Sequence, residues 1–116
     1  LKTLSLAGNL FSGSIPSGFG GLYELESLNL SNNNLSGTVP EELMQLSNLT
    51  TLNLSNNRFS GEVPANIGDL KGLQVLNMSG CGYSGSLPSS IGNLMRLTAL
   101  DLSKQYLSGE LPLELF

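Results

Sequence analysis

Residues 49–72 read LTTLNLSNNRFSGEVPANIGDLKG, and this pattern of 24 residues recurs in the same phase along the whole chain. Five copies open on Leu-x-x-Leu-x-[Leu/Met], at Leu1, Leu25, Leu49, Leu73 and Leu97. Every copy then carries Ser-Gly-x-[Ile/Val/Leu]-Pro, and no residue is inserted or deleted between copies. A fixed period of this size indicates a solenoid, in which one coil buries its apolar face only by stacking on its neighbours.

The repeat divides the chain into four full coils and a shorter fifth. They are coil 1 (1–24), coil 2 (25–48), coil 3 (49–72), coil 4 (73–96) and coil 5 (97–116). We expect a single solenoid over residues 1–116, and we recognise none of the polar capping repeats that solenoids need at their ends. Uncapped end coils would expose apolar surface and a strand edge, which favours self-association.

Each coil is expected to contain one strand and one short helical turn. Leu28 and Leu30 alternate with Asn29, which predicts a strand with one buried face, and stacked copies must run parallel. All five prolines occupy one position of the repeat, where proline suits the first residue of a short 3₁₀ or α turn. The glycine of each Ser-Gly pair is expected to have a positive φ.

One position of the repeat predicts a buried ladder of polar side chains. Its occupants are Asn9, Asn33, Asn57, Cys81 and Gln105. A buried asparagine there is expected to bond the backbone of the turning loop, since buried polar groups need partners. Cys81 is then a poorer substitute, and as the only cysteine it forms no internal disulfide.

The repeat resembles the plant 24-residue subtype of the leucine-rich repeat, LxxLxLxxNxLSGxIPxxLGxLxx, over the whole chain. The resemblance implies an α/β solenoid of about five coils, with parallel strands on the concave face and 3₁₀ or α turns on the convex side. It also implies a second short strand at Ser-Gly-x-Ile-Pro. The chain departs from the pattern where Cys81 and Gln105 replace the ladder asparagine, and where Met78 replaces a core leucine.

Proteins with such repeats include the ectodomains of plant receptor-like kinases and receptor-like proteins. The resemblance therefore implies an extracellular recognition module, at the cell surface or in the apoplast, that binds a peptide, a protein or a co-receptor ectodomain without a cofactor. A secreted module similar to polygalacturonase-inhibiting proteins is a second hypothesis. A third is a structural spacer, or an ice-binding solenoid that uses its regular Ser, Thr and Asn rows.

The candidate ligand-binding residues are outward-facing side chains of the predicted concave strands. They are Lys2, Glu26, Asn29, Thr50, Asn53, Gln74, Asn77, Thr98 and Asp101. This set contains no aromatic residue and no arginine, the types that dominate interface hot spots. We therefore expect these coils alone to bind weakly.

Five Asn-x-Ser/Thr sequons are present. Those at Asn29, Asn53 and Asn77 share one strand position, so they follow from the Leu-Asn-Leu-Ser repeat itself. Asn34 and Asn48 are predicted to lie in loops, and they are the expected glycosylation sites of a secreted chain.

Other classes of function are not expected. The chain has no histidine, so Cys81 has no imidazole to activate it as a nucleophile, and no cluster has metal-ligand spacing. Glu41 and Glu42 lie at a predicted turn start, where acidic residues complement the helix dipole. The net charge of −4 argues against nucleic acid, and no apolar run reaches membrane-spanning length, so no membrane contact is expected.

Overall fold

The computed structural model describes all 116 residues as a stack of coils, each with two short strands and one 3₁₀ turn. The strands are β1 (Thr3–Ser5), β2 (Ser12–Gly13), β3 (Ser27–Asn29), β4 (Asn34–Gly37), β5 (Thr51–Asn53), β6 (Arg58–Phe59), β7 (Val75–Asn77), β8 (Ser84–Gly85), β9 (Ala99–Asp101) and β10 (Tyr106–Leu107). The 3₁₀ turns are Ser17–Gly21, Glu41–Gln45, Ile67–Asp69, Ser89–Asn93 and Leu113–Leu115.

The odd-numbered strands form one parallel sheet in the order β1-β3-β5-β7-β9. Partners across this sheet are 24 residues apart, as for Leu28 with Leu52 and Leu52 with Leu76. The sheet runs the full length of the stack, which confirms the predicted parallel strands.

The even-numbered strands form a second, interrupted parallel sheet. β2, β4 and β6 pair in that order, β8 pairs with β10, and only an isolated bridge between Glu62 and Ser84 joins the two parts. The second strand that the resemblance implied is therefore confirmed. The interruption coincides with Gly82, whose φ of +92° takes it out of the strand conformation that Arg58 has in the coil before.

All five helical turns are 3₁₀, so the α alternative is not observed. Pro16 precedes its turn with φ −65° and ψ 143°, and its carbonyl accepts a hydrogen bond from the Phe19 N–H at 3.2 Å. The expectation that proline is the first helical residue was wrong, because proline directly precedes the turn in four coils and Pro64 lies three residues before the turn that begins at Ile67. Proline keeps its preferred φ, but its extended ψ places it outside the turn that its carbonyl closes.

The core is one cluster of 23 buried apolar side chains that runs through the stack. Leu52 in the central coil is 1% exposed, whereas Leu4 and Leu100 in the end coils are only partly buried. Burial thus depends on having a coil on both sides. None of the helical segments has the length and apolar character needed to cross a bilayer.

Two positions of every coil have a left-handed backbone, and coil 4 has a third at Gly82. The predicted glycines are confirmed, with φ between +73° and +81° at Gly13, Gly37, Gly61, Gly85 and Gly109. A second row of left-handed residues lies five positions earlier in the repeat, and sequence reasoning missed it. It consists of Gly8, Asn32, Asn56, Gly80 and Lys104. Glycine and asparagine are the residues that tolerate this conformation best, so their recurrence there was the available signal.

The ladder asparagines bond backbone groups, as predicted, and they also connect consecutive coils. Asn57 is buried, and its Nδ2 donates to the carbonyls of Leu30 at 3.0 Å and Leu54 at 3.1 Å. Its Oδ1 accepts the Leu35 N–H at 3.0 Å. One side chain therefore satisfies backbone groups of two neighbouring coils.

Cys81 makes only part of this network in coil 4. Its fully buried thiol donates to the Leu54 carbonyl at 2.9 Å and lies 3.6 Å from the Ser79 carbonyl. It makes no hydrogen bond with the Phe59 N–H. One coil earlier, Asn57 accepts the equivalent hydrogen bond from the Leu35 N–H. Burial raises the pKa of the Cys81 thiol to about 12.

Cys81→Asn is expected to raise the free energy of unfolding by about 1 kcal/mol, the usual net contribution of one hydrogen bond. The new amide would accept the Phe59 N–H and donate to the carbonyls that the thiol now contacts. Urea unfolding of the two proteins at neutral pH measures the difference. A less stable variant would show that the thiol packs better than an amide.

The difference in free energy of unfolding between Cys81→Asn and the wild type should increase at alkaline pH. The thiol pKa is raised from 9.0 to about 12 on folding, so its contribution to stability is complete below pH 9 and is lost as pH rises toward 12. The loss is about 1.4 kcal/mol per pH unit at most. The asparagine variant has no such titration, so its advantage should grow above pH 9, and a constant difference would contradict the burial of a neutral thiol.

The candidate ligand-binding face

The strand face is the outward surface of the first sheet. It consists of the outward side chains of β1, β3, β5, β7 and β9 and of the residue before each strand, and it has three rows. The entry row is Lys2, Glu26, Thr50, Gln74 and Thr98. The middle row is Thr3, Ser27, Thr51, Val75 and Ala99. The exit row is Ser5, Asn29, Asn53, Asn77 and Asp101. The fold thus brings all nine sequence-predicted binding residues onto one face of the stack.

The entry row contains both free and engaged side chains. Thr50 Oγ1 donates to the Glu26 carbonyl, and Thr98 Oγ1 donates to the Gln74 carbonyl, each at 3.1 Å. The side chains of Lys2, Glu26 and Gln74 are exposed and make no hydrogen bond or ion pair within the chain. These three are therefore available to a ligand without loss of an internal contact.

The exit row is held by hydrogen bonds inside each coil. Asn29 Oδ1 accepts the backbone N–H of Ser31 at 3.0 Å and its hydroxyl at 2.6 Å. Asn53, Asn77 and Asp101 bond the serine two residues on in the same way. These are Asx turns, so one oxygen of each side chain serves the coil. The hydrogen bonds from Ser103 also lower the pKa of the Asp101 carboxyl.

A shallow depression of about 240 Å³ lies at the centre of the strand face. It is lined by the half-buried polar residues Ser27, Asn29, Thr51, Asn53 and Asn77 and by the exposed Val75. Thr51 Oγ1 donates to Ser27 Oγ at 2.9 Å, and Val75 is the only large apolar side chain exposed on the face. Alternation with buried leucines also predicts an outward orientation for the middle row, although the nine candidate ligand-binding residues do not include it.

The two expected glycosylation sites are both exposed. The prediction that Asn34 lies in a loop was wrong, because Asn34 begins β4 and pairs with Ser12 of the preceding coil; its side chain makes no hydrogen bond. The Asn48 Nδ2 donates to the Tyr23 carbonyl at 3.1 Å. Asn34 is therefore the freer of the two amides.

The family models described as "Leucine rich repeat" and "Leucine Rich repeats (2 copies)" match residues 1–59 and 47–92. The chain belongs to the leucine-rich-repeat family. Among curated proteins, none matches its sequence.

Solved leucine-rich-repeat structures resemble the chain closely. A TDR receptor is 43% identical with a TM-score of 0.97, over 99% of this chain and 20% of the receptor. The Arabidopsis receptor kinase HAESA, in complex with the peptide hormone IDA and the co-receptor SERK1, is 36% identical with a TM-score of 0.93, over 98% of this chain and 20% of that one. A plant ice-binding protein is 32% identical with a TM-score of 0.91, over 99% of this chain and 37% of that one.

The predicted resemblance to plant receptor ectodomains is confirmed by these matches. The chain spans about a fifth to two fifths of the length of these proteins.

Proposed function

We propose that this chain is a non-enzymatic extracellular recognition segment that binds a peptide or protein partner on the strand face. Its setting would be the ectodomain of a plant cell-surface receptor or a secreted protein of the apoplast. The observation that supports this most is the continuity of the face, to which all five coils contribute side chains in one 24-residue register.

The geometry of the strand face suits an elongated partner. Parallel strands lie about 4.8 Å apart, so a chain crossing the strands meets a new set of entry, middle and exit side chains at each coil. The opposite side is divided by the proline-initiated turns. The structure of HAESA with a peptide hormone and a co-receptor supports a peptide together with a second ectodomain as the class of partner.

The chemistry of the face favours a polar partner and modest affinity. Most of its side chains are hydroxyls and amides, and Val75 is the only large apolar group exposed there. Lys2, Glu26 and Asp101 are its charged side chains. Without an aromatic or arginine anchor, this segment would contribute specificity and only part of the binding energy.

Peptides selected from a phage-displayed library on this chain should bind at least tenfold more weakly to the double variant Glu26→Arg with Gln74→Arg. Both side chains are exposed and free of internal contacts, so the melting temperature should not change. Two long cations on either side of the central depression would obstruct and repel a peptide lying across it. Biolayer interferometry with the selected peptides measures the affinities.

The matched control places two arginines on the turn side, Glu41→Arg with Gln45→Arg, which changes the charge by the same amount at two exposed residues. It should leave peptide affinity unchanged. If the turn-side pair abolishes binding and the strand-face pair does not, the recognition surface has been assigned to the wrong side of the solenoid.

An ice-binding function is the second candidate, because a plant ice-binding protein shares the fold at 32% identity. Every coil also has an exposed serine in its second strand or directly after it, at Ser12, Ser36, Ser60, Ser84 and Ser108. Inhibition of ice recrystallisation by the wild-type chain, retained in the Glu26→Arg, Gln74→Arg variant, would favour this function over peptide recognition.

A further inference from the structure

The last two residues of coils 1 to 4 form an exposed strip beside the entry row, which we call the entry edge. They are Tyr23 and Glu24, Ser47 and Asn48, Lys71 and Gly72, and Met95 and Arg96. All except the half-buried Gly72 are exposed. One leucine separates each pair from the next entry-row residue, so the strip runs along the side of the strand face.

The entry edge and the strand face form one continuous surface. A recess of about 310 Å³ is lined by Lys2 and Glu26 from the entry row and by Glu24 and Asn48 from the entry edge. The Asn48 Nδ2 donates to the Tyr23 carbonyl at 3.1 Å, which ties the edge of one coil to that of the next. A ligand that lies along the entry row therefore also contacts the entry edge.

The entry edge supplies side chains of the types that the strand face lacks. Tyr23 is 69% exposed and Met95 is 90% exposed, and the neighbouring Arg96 is exposed as well. Aromatic residues, methionine and arginine are enriched in protein interfaces, whereas the strand face exposes only Val75 as a large apolar side chain. The strongest contacts of a ligand are therefore expected on the edge.

The charge of this surface changes along the stack. Beside β3 it is acidic, with Glu24 next to Glu26 of the entry row, and Lys2 is the one cation that lines the same recess. Beside β7 and β9 it is basic, with Lys71 and Arg96. A ligand that matches this pattern carries a basic group toward β3 and an acidic group toward β9.

Lys71 and Arg96 are free to hold an anionic group. Both side chains are exposed and neither forms an ion pair, although Asp69 lies two residues before Lys71. Gly72 stands at the position of coil 3 that corresponds to Arg96 in coil 4, so the edge has a notch beside the arginine. Apart from its chain neighbours, only backbone atoms lie within 4 Å of the point where a Gly72 Cβ would be. A carboxylate in this notch is within reach of both cations.

We propose that the partner of the strand face is an extended peptide with an acidic side chain held by Lys71 and Arg96, an apolar neighbour on Met95 and a basic side chain at Glu26. This pairing, which rests on the proposed function, specifies the chemistry and the direction of the peptide. Arginine suits the acidic group, because its planar guanidinium binds a carboxylate through two parallel hydrogen bonds.

The spacing of the two charges in the peptide follows from the first sheet. β3 and β7 are two strand spacings apart and β3 and β9 are three, which corresponds to about 10–14 Å. An extended peptide rises about 3.3 Å per residue. Its basic and acidic residues should therefore lie about three or four positions apart.

The test uses peptides selected on this chain from the phage-displayed library, with affinities measured by biolayer interferometry. Most of them should contain an acidic and a basic residue at that spacing. Arg96→Glu should weaken their binding roughly tenfold or more, because the new carboxylate repels the acidic group of the peptide. The melting temperature should not change, since the exposed Arg96 side chain forms no ion pair within the chain.

Arg58→Glu is the matched control, because it makes the same change of charge at an exposed arginine of the second sheet. It should leave the affinity unchanged. Peptides in which lysine replaces the acidic residue provide the reciprocal measurement. They should bind the wild type weakly and recover most of the lost affinity for Arg96→Glu, a recovery that a purely structural role of Arg96 would not produce.

The outcomes separate this pairing from the proposed function. Peptides that lose affinity for the Glu26→Arg, Gln74→Arg variant but bind Arg96→Glu as well as the wild type overturn the pairing and leave the proposed function standing. Selected peptides without an acidic residue, or an equal loss in Arg96→Glu and Arg58→Glu, also overturn the pairing alone. If no selected peptide responds to the strand-face variant, the proposed function is wrong and the pairing is wrong with it.

Discussion

Leu52→Ala is expected to lower the free energy of unfolding by about 4 kcal/mol, near the top of the range for a fully buried leucine. Leu52 is 1% exposed in the central coil, and its strand pairs with β3 on one side and β7 on the other. Truncation leaves a cavity enclosed by two coils that are held in register by hydrogen bonds, so the site collapses little. Urea unfolding followed by circular dichroism measures the loss.

Leu4→Ala is the matched control, because Leu4 has the same repeat position in coil 1 but is only partly buried. We expect it to cost less than half as much, since a side chain that still contacts water loses less on truncation. Equal costs would mean that coil 1 is as well covered as coil 3.

The architecture was predictable because a single period constrains every level of the structure. Leucines at fixed spacing define the inward side of each strand, and stacking then allows only parallel pairing. The errors concern local backbone conformation. Pro16 lies one residue outside its turn, and the left-handed row that contains Asn32 and Asn56 was missed. The ψ angle of Pro16 is not encoded by a residue pattern, whereas the recurrence of glycine and asparagine was an available signal for the left-handed row.

The position of the candidate site was predictable from the sequence, but the hydrogen bonds of its side chains were not. Alternation with buried leucines places Asn29 and Asn53 outward, and the structure agrees. Sequence analysis attributed the Asn-Leu-Ser sequon at Asn29 to the repeat itself, and it did not predict that Asn29 and Ser31 form an Asx turn. Only the backbone geometry brings the serine hydroxyl to the asparagine oxygen.

Gly82→Ala is expected to lower the free energy of unfolding by about 2–5 kcal/mol, from backbone strain together with overpacking. Gly82 has a φ of +92°, and a Cβ there would lie 2.6 Å from the Phe59 carbonyl oxygen. Strain from a left-handed alanine cannot relax by moving the new methyl group, because the neighbouring coil's backbone occupies that space. Urea unfolding and near-ultraviolet circular dichroism of Tyr83, which stacks on Phe59, would report the loss.

Gly13→Ala separates the two causes. Gly13 has a similar φ of +79°, but no atom lies within 4 Å of the position that an alanine methyl group would take there. This variant should therefore cost only the strain of a left-handed alanine, about 1–2 kcal/mol. The excess cost of Gly82→Ala then measures how closely coils 3 and 4 approach where the second sheet is interrupted. If both variants lose the same free energy of unfolding, the backbone near Gly82 can move to accept a methyl group. The interruption of the second sheet would then be a flexible point of the solenoid rather than a tight contact.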